Sequence, residues 1–241
     1  MGTRLVNLVV DAATPAASAR WWAEALGWEV VFETRHEVAV EPPAGAPGIP
    51  LVFVPVPDAK TGPNRVHLDL ASPSAADQAA LVERLTALGA TPADVGQGDV
   101  PWVVLADPDG NELCVLEPRD RYAGAGRLAA VVVAAVDPPA LARFWTEAAA
   151  WPVVEVNDRF AALRDPSGAG PFLELIRSPA RKVVKNRLHL DVAPWPDDDP
   201  AAEVARLQAL GATRVDIGQG DVTWTVLADP EGNELCVLSP R

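Results

Sequence analysis

The sequence predicts an α+β protein built from two tandem copies of one unit, each copy holding two βαβββ modules. Three observations predict it. Asn64–Arg119 aligns without a gap to Asn186–Arg241, with 38 of 56 positions identical. The earlier parts match more weakly, TPAASARWWAEALGW against DPPALARFWTEAAAW. Within each copy the order strand, helix, strand, strand, strand occurs twice. A period of this length repeated only twice is a duplicated domain and not a solenoid. The expected organisation is residues 1–119, a short Gly-containing linker 120–126 (DRYAGAG), and residues 127–241.

Each element has a local reason. Residues 4–11 alternate apolar and polar, as a half-buried strand does. Ala16–Leu26 has the spacing of an amphipathic helix, with Pro15 suited to its first turn. Glu29–Thr34, His36–Glu41 and Pro50–Val56 read as three strands. Arg65–Leu70 then restarts the pattern. Ala75–Leu88 is a helix that Gly89 can close. Pro92–Val95, Pro101–Ala106 and Glu112–Glu117 complete the module, and DPDG (Asp107–Gly110) is a turn between the last two.

Composition narrows the partners. The formal net charge is -13, which argues against nucleic acid or an anionic membrane surface, since both need clustered Lys and Arg. Hydrophobic residues make up 49%, enough for a real core. No apolar run approaches the roughly 20 residues that span a bilayer, and the N-terminal stretch lacks a secretory pattern. The two cysteines, Cys114 and Cys236, occupy equivalent places in the copies and fit unpaired thiols of a reducing compartment. A cytoplasmic protein is expected.

Paired βαβββ modules, HLDL opening the second module and ADPDGNELCVL closing it resemble the glyoxalase-like branch of the vicinal oxygen chelate superfamily. That superfamily also holds bleomycin-resistance proteins and extradiol dioxygenases. The resemblance covers nearly the whole chain. It implies that modules pair so that eight strands curl into a half-barrel, with helices on the convex side and the ligand on the concave side. It implies a small-molecule partner, and activities ranging from lyases and isomerases to drug binding without turnover. A tandem chain can build internally the pairing that separate domains make as homodimers, so a monomer or weak homodimer is expected.

The resemblance also implies where a metal would sit. Carried over, the four positions are Asn7, Phe53, His67 and Cys114 in the first copy, and Ala130, Glu174, His189 and Cys236 in the second. Catalytic sites of this kind usually combine His with carboxylates. The first set lacks carboxylates, and no cofactor is expected for the chain. Glu174, His189 and Cys236 form the alternative, a zinc or iron site in the second copy.

Alternation places His67 and Asp69 on one strand face, and His189 and Asp191 likewise. His67 and His189 are the leading candidates for a general base or a ligand hydrogen bond. Glu112 and Glu234 share the concave face with the cysteines and are candidate acids or bases. Asn7 shares that face in the first strand. Trp102 and Trp224, read as strand residues before VLADP, offer flat surfaces for an aromatic ligand. Two functions follow. One is binding of a small, largely apolar or aromatic molecule without a complete metal site. The other is a lyase or isomerase acting through His189 and Glu174 in the second copy, with or without a metal.

Overall fold

The structure is a computed structural model that describes residues 2–241. The first repeat runs β1 (Thr3–Ala12), α1 (Pro15–Leu26), β2 (Glu29–Glu33), β3 (Val38–Glu41), β4 (Leu51–Pro55), β5 (Val66–Leu70), α2 (Ala75–Ala87), β6 (Thr91–Pro92), β7 (Val103–Ala106) and β8 (Glu112–Val115). A 3₁₀ turn at Asp120–Tyr122 leads to the second repeat. That repeat runs β9 (Leu128–Ala135), α3 (Pro138–Ala149), β10 (Val153–Asn157), β11 (Phe160–Arg164), β12 (Phe172–Arg177), β13 (Leu188–Pro194), α4 (Pro200–Ala209), β14 (Thr213–Arg214), β15 (Thr225–Ala228) and β16 (Glu234–Val237). Four βαβββ modules are present, as predicted. Trp102 and Trp224 lie just before β7 and β15, not within them.

The modules pair across the repeats. Sheet A has the strand order β14-β15-β16-β13-β1-β4-β3-β2, and sheet B the order β10-β11-β12-β9-β5-β8-β7-β6. Each is therefore an open, mixed, eight-stranded sheet taking one module from each repeat. The antiparallel joints are β1 with β13 and β5 with β9. The tandem chain thus pairs each module with one from the other repeat. Alternation along β1 is blind to this choice, because every module offers an opening strand of the same pattern.

Arginines at the crossing points hold the exchange. Arg65 donates from Nε to Asn233 Oδ1 at 3.2 Å, and Arg187 does the same to Asn111 Oδ1 at 3.2 Å. Each asparagine also accepts from the opening of its own repeat's second module, Asn64 Nδ2 on Asn111 and Asn186 Nδ2 on Asn233. The repeated strings NR and GNEL are thus the two halves of one clasp, used twice.

The apolar faces of both sheets and the first helix of each repeat share one core. Leu8 and Val10 of β1, Leu68 and Leu70 of β5, Val131 and Val133 of β9, Trp22 of α1 and Trp145 of α3 all belong to it. Indole N–H groups that deep need acceptors. Trp22 Nε1 donates to Asp107 at 3.0 Å and Trp145 Nε1 to Asp229 at 3.2 Å. The same two aspartates close their turns by accepting the Asn111 and Asn233 amides. Both helices end in the left-handed region, α1 at Gly27 (φ 71°) and α3 at Ala150 (φ 58°). Only glycine takes that conformation without a Cβ penalty. No helix is long and apolar enough to cross a membrane among the described residues.

Candidate functional site

The faces turned away from the shared core carry the titratable groups. In β8, Leu113 and Val115 join the core while Cys114 and Leu116 face the other way, as alternation requires. The same holds for His189 and Asp191 in β13, flanked by the core residues Leu188, Leu190 and Val192.

On the concave face of sheet A, His189, Asp191 and Cys236 converge, all buried. His189 Nε2 lies 3.5 Å from Asp191 Oδ1 and 3.5 Å from Cys236 Sγ. One ligand atom from each of the three lies within 4.8 Å of the others. Register explains the meeting: Asp191 stands opposite Cys236 in β16 and opposite Asn7 in β1. Asn7 donates from Nδ2 to Asp191 Oδ2 at 2.9 Å. That bond turns the other oxygen, Oδ1, toward the histidine. His189 Nδ1 and Asp191 Oδ1 are buried without a hydrogen bond.

Burial sets the protonation. It pushes the His189 pKa down to about 3, with the nearby Lys185 charge adding to the effect. It pushes Asp191 up to about 7, against hydrogen bonds from Asn7 and Cys236 that pull the other way. The Cys236 thiol is raised by burial and by the Asp191 charge, so it stays protonated near neutrality unless a cation joins it. The imidazole is therefore neutral, with a lone pair free for a ligand.

Sheet B repeats the triad as His67, Asp69 and Cys114, with His67 Nε2 at 3.4 Å from Asp69 Oδ1. Its surroundings differ. Glu174 of β12 faces Val132 of β9, which faces His67 of β5. Glu174 is 3% exposed. The linker residues Arg121 and Tyr122 close on it: Arg121 Nε donates to Oε1 at 3.1 Å, and the Tyr122 hydroxyl lies 3.2 and 3.3 Å from the two carboxylate oxygens.

Three carried-over ligand assignments are corrected. Glu174 does not meet His189 and Cys236, because module exchange puts β12 in sheet B and β13 and β16 in sheet A. For the same reason Asn7 does not share a face with His67 and Cys114. Phe53 is the wrong counterpart of Glu174. It is fully buried in the shared core, and the row through Val9 and His189 places Val52 at the equivalent point. A one-residue offset in a strand moves a side chain to the opposite face.

Glu112 and Glu234 are tied down at the module crossings. Glu112 pairs with Lys60 at 2.6 Å and accepts the Asn64 amide at 3.1 Å. Glu234 pairs with Lys182 at 2.6 Å and accepts the Asn186 amide at 3.2 Å. Neither belongs to a His–Asp–Cys group. Trp102 packs half-buried against the concave cluster of sheet B, with the Arg119 guanidinium 5.5 Å above its ring. Trp224 is 39% exposed. Tyr122, Arg121, Arg65 and Arg187 were not singled out from the sequence. The signal for the first was available: Tyr122 is the chain's single tyrosine, and it sits in the linker.

A family model described as a glyoxalase-like domain matches residues 7–116 and again residues 130–238. No curated protein matches the chain. Among solved structures, glyoxalase I from Zea mays superposes with a TM-score of 0.66 at 15% identity, covering 99% of this chain and 92% of that one. A putative dioxygenase from Bacillus subtilis superposes with a TM-score of 0.63 at 13% identity, covering 98% and 84%. At such identities the likeness concerns the fold.

Proposed function

Since this chain belongs to the family of glyoxalase-like domains, we propose that it binds a small, largely apolar or aromatic molecule on the concave face of sheet A, over a centre of His189, Asp191 and Cys236 that takes a divalent transition metal such as zinc. The observation that carries the reading is the convergence of three potential ligand atoms, all within 4.8 Å of one another, with His189 Nε2 central to the two measured edges. The 3.5 Å from His189 Nε2 to Asp191 Oδ1 is long for a hydrogen bond, while the 3.5 Å to Cys236 Sγ is an ordinary contact for sulfur. Both separations match the edges of a tetrahedron whose bonds are about 2.0–2.3 Å, the range for zinc with nitrogen, oxygen and sulfur. The unbonded Asp191 Oδ1 supports it, since a buried carboxylate oxygen normally has a partner.

The chain's own residues prepare the site. Asn7 holds Asp191 by one oxygen and leaves the other free. Burial keeps His189 neutral. A bound metal would supply Lewis acidity and a fixed point for a ligand oxygen. Three protein donors leave a position for that ligand. A general-base role for His189 fits poorly. A conjugate acid near pH 3 holds a proton too weakly to take one at neutrality, where useful bases are poised close to the working pH.

The test is metal uptake by chelator-treated protein. About one equivalent of zinc should bind, and H189Q and C236S should each lose it while E174Q keeps it. Uptake below about 0.2 equivalents, or uptake unaffected by C236S, would exclude the metal centre. A thermal-shift panel of aromatic metabolites, with and without zinc, then tests the ligand class.

A further inference from the structure

On sheet B the part of the concave face around Glu174 is covered by the chain itself, while the His67 side chain on the same face stays 28% exposed. The 3₁₀ turn Asp120–Tyr122 lies in the linker between the repeats and inserts Arg121 and Tyr122. The Tyr122 ring is 6% exposed and meets Phe172 edge-on at 5.7 Å. Arg121 stands 5.0 Å over the Phe160 ring and 4.8 Å over the Phe172 ring. It also pairs with Glu155 on β10. Both inserted side chains end on the Glu174 carboxylate.

This is how a binding site holds a ligand. A buried carboxylate is costly unless a cation and hydrogen-bond donors compensate it. Two aromatic faces add cation–π attraction for a flat cation. Burial raises the Glu174 pKa, and the Arg121 charge is the largest influence opposing that rise. In sheet A the equivalent position is Val52, which asks for no such partner. The two faces are therefore specialised differently.

We propose that Arg121 and Tyr122 act as an internal ligand: the concave face of sheet B is a site for a planar guanidinium or amidinium joined to an aromatic ring, occupied in cis by the linker. This inference is independent of the zinc centre, which involves none of these residues.

Chemical rescue tests it. R121A leaves Glu174 buried with the Tyr122 hydroxyl but no cation, and low-millimolar guanidinium should raise its melting temperature by roughly 2–4 °C, with no rise for the wild-type protein or for R121A/E174Q. In R121A/Y122A, equilibrium dialysis should show about one equivalent of phenylguanidine bound, against less than about 0.1 for the wild type. Absence of rescue in folded R121A, or rescue that survives E174Q, overturns the proposal. If the arginine variants do not fold, E174Q in the intact chain decides. It should speed hydrogen exchange of the 120–124 amides at least tenfold over those of β9, and unchanged exchange refutes the internal-ligand role.

Discussion

Replacing Asp191 by Asn should make the metal-free protein more stable as pH rises, relative to the wild type. In the folded chain Asp191 holds its proton up to about pH 7, whereas the ordinary carboxyl loses it near 3.8. Between those values the unfolded chain gives up a proton that the folded chain keeps. Stability from this group therefore falls as pH rises from about 4 to about 7. At about 1.4 kcal/mol per pK unit, the loss is about 4 kcal/mol. His189 acts in the opposite direction. Its folded value near 3 lies below the ordinary 6.5, so the stability it contributes is lost as pH falls from about 6.5 to 3. In the wild type the two slopes oppose one another between about pH 4 and 6.5. D191N removes one of them and H189Q the other. The assay is urea unfolding of chelator-treated protein across pH 4–8, with the wild-type stability subtracted at each pH. The D191N difference should climb by about 4 kcal/mol. The H189Q difference should instead become more favourable toward acid, by about 3 kcal/mol between pH 6.5 and 4. A D191N difference that stays flat within about 1 kcal/mol would refute the assignment of a buried, protonated carboxyl.

Other expectations follow from the packing. A150G should stabilise the protein by about 1 kcal/mol, because it removes a Cβ from a left-handed helix end; thermal melting reads this as a rise of roughly 2–4 °C. F53A should cost about 3–5 kcal/mol, since Phe53 is fully buried in the shared core, and a cost below about 1 kcal/mol would contradict its placement under the helices. Cys114 and Cys236 are buried free thiols with raised pKa values, so a thiol reagent should label them far more slowly in the native protein than in urea. Residues 1–126 and 127–241 produced separately should each fail to form a stable monomer, while the intact chain should run as a monomer on light scattering. A half-chain with a cooperative monomeric melt would contradict the exchanged sheets.

Much of the fold was legible because it follows from local periodicity. The alternation in VHLDL and ELCVL sorted Leu68 and Leu113 to the core and His67 and Cys114 to the other face, where they are found. The four-module count and the resemblance both hold. The partner of β1 was not legible. Its pattern would suit either β5 or β13, and the choice rests on contacts such as Arg187 with Asn111 that span 76 residues. Once that partner was open, so was the membership of each site, which is why Glu174 was grouped with His189. The Phe53 assignment failed for a smaller reason, a gap of one residue between the repeats. Asp191, read as a companion to the histidine, proves to be the third member of its cluster.

Exchange of modules also orders events as the chain leaves the ribosome. Sheet B consists of the two middle modules and has all its strands once Arg177 has emerged. Strand β1 is made first yet must wait for β13; Asn7 and Asp191, which bond in the finished sheet, are 184 residues apart. Closing so long a loop is slow, and an unpaired strand edge invites association with other chains. The N-terminal module is thus the part of the nascent chain most in need of chaperone cover, and slowing translation between residues 56 and 188 should lower soluble yield more than the same slowing after residue 238.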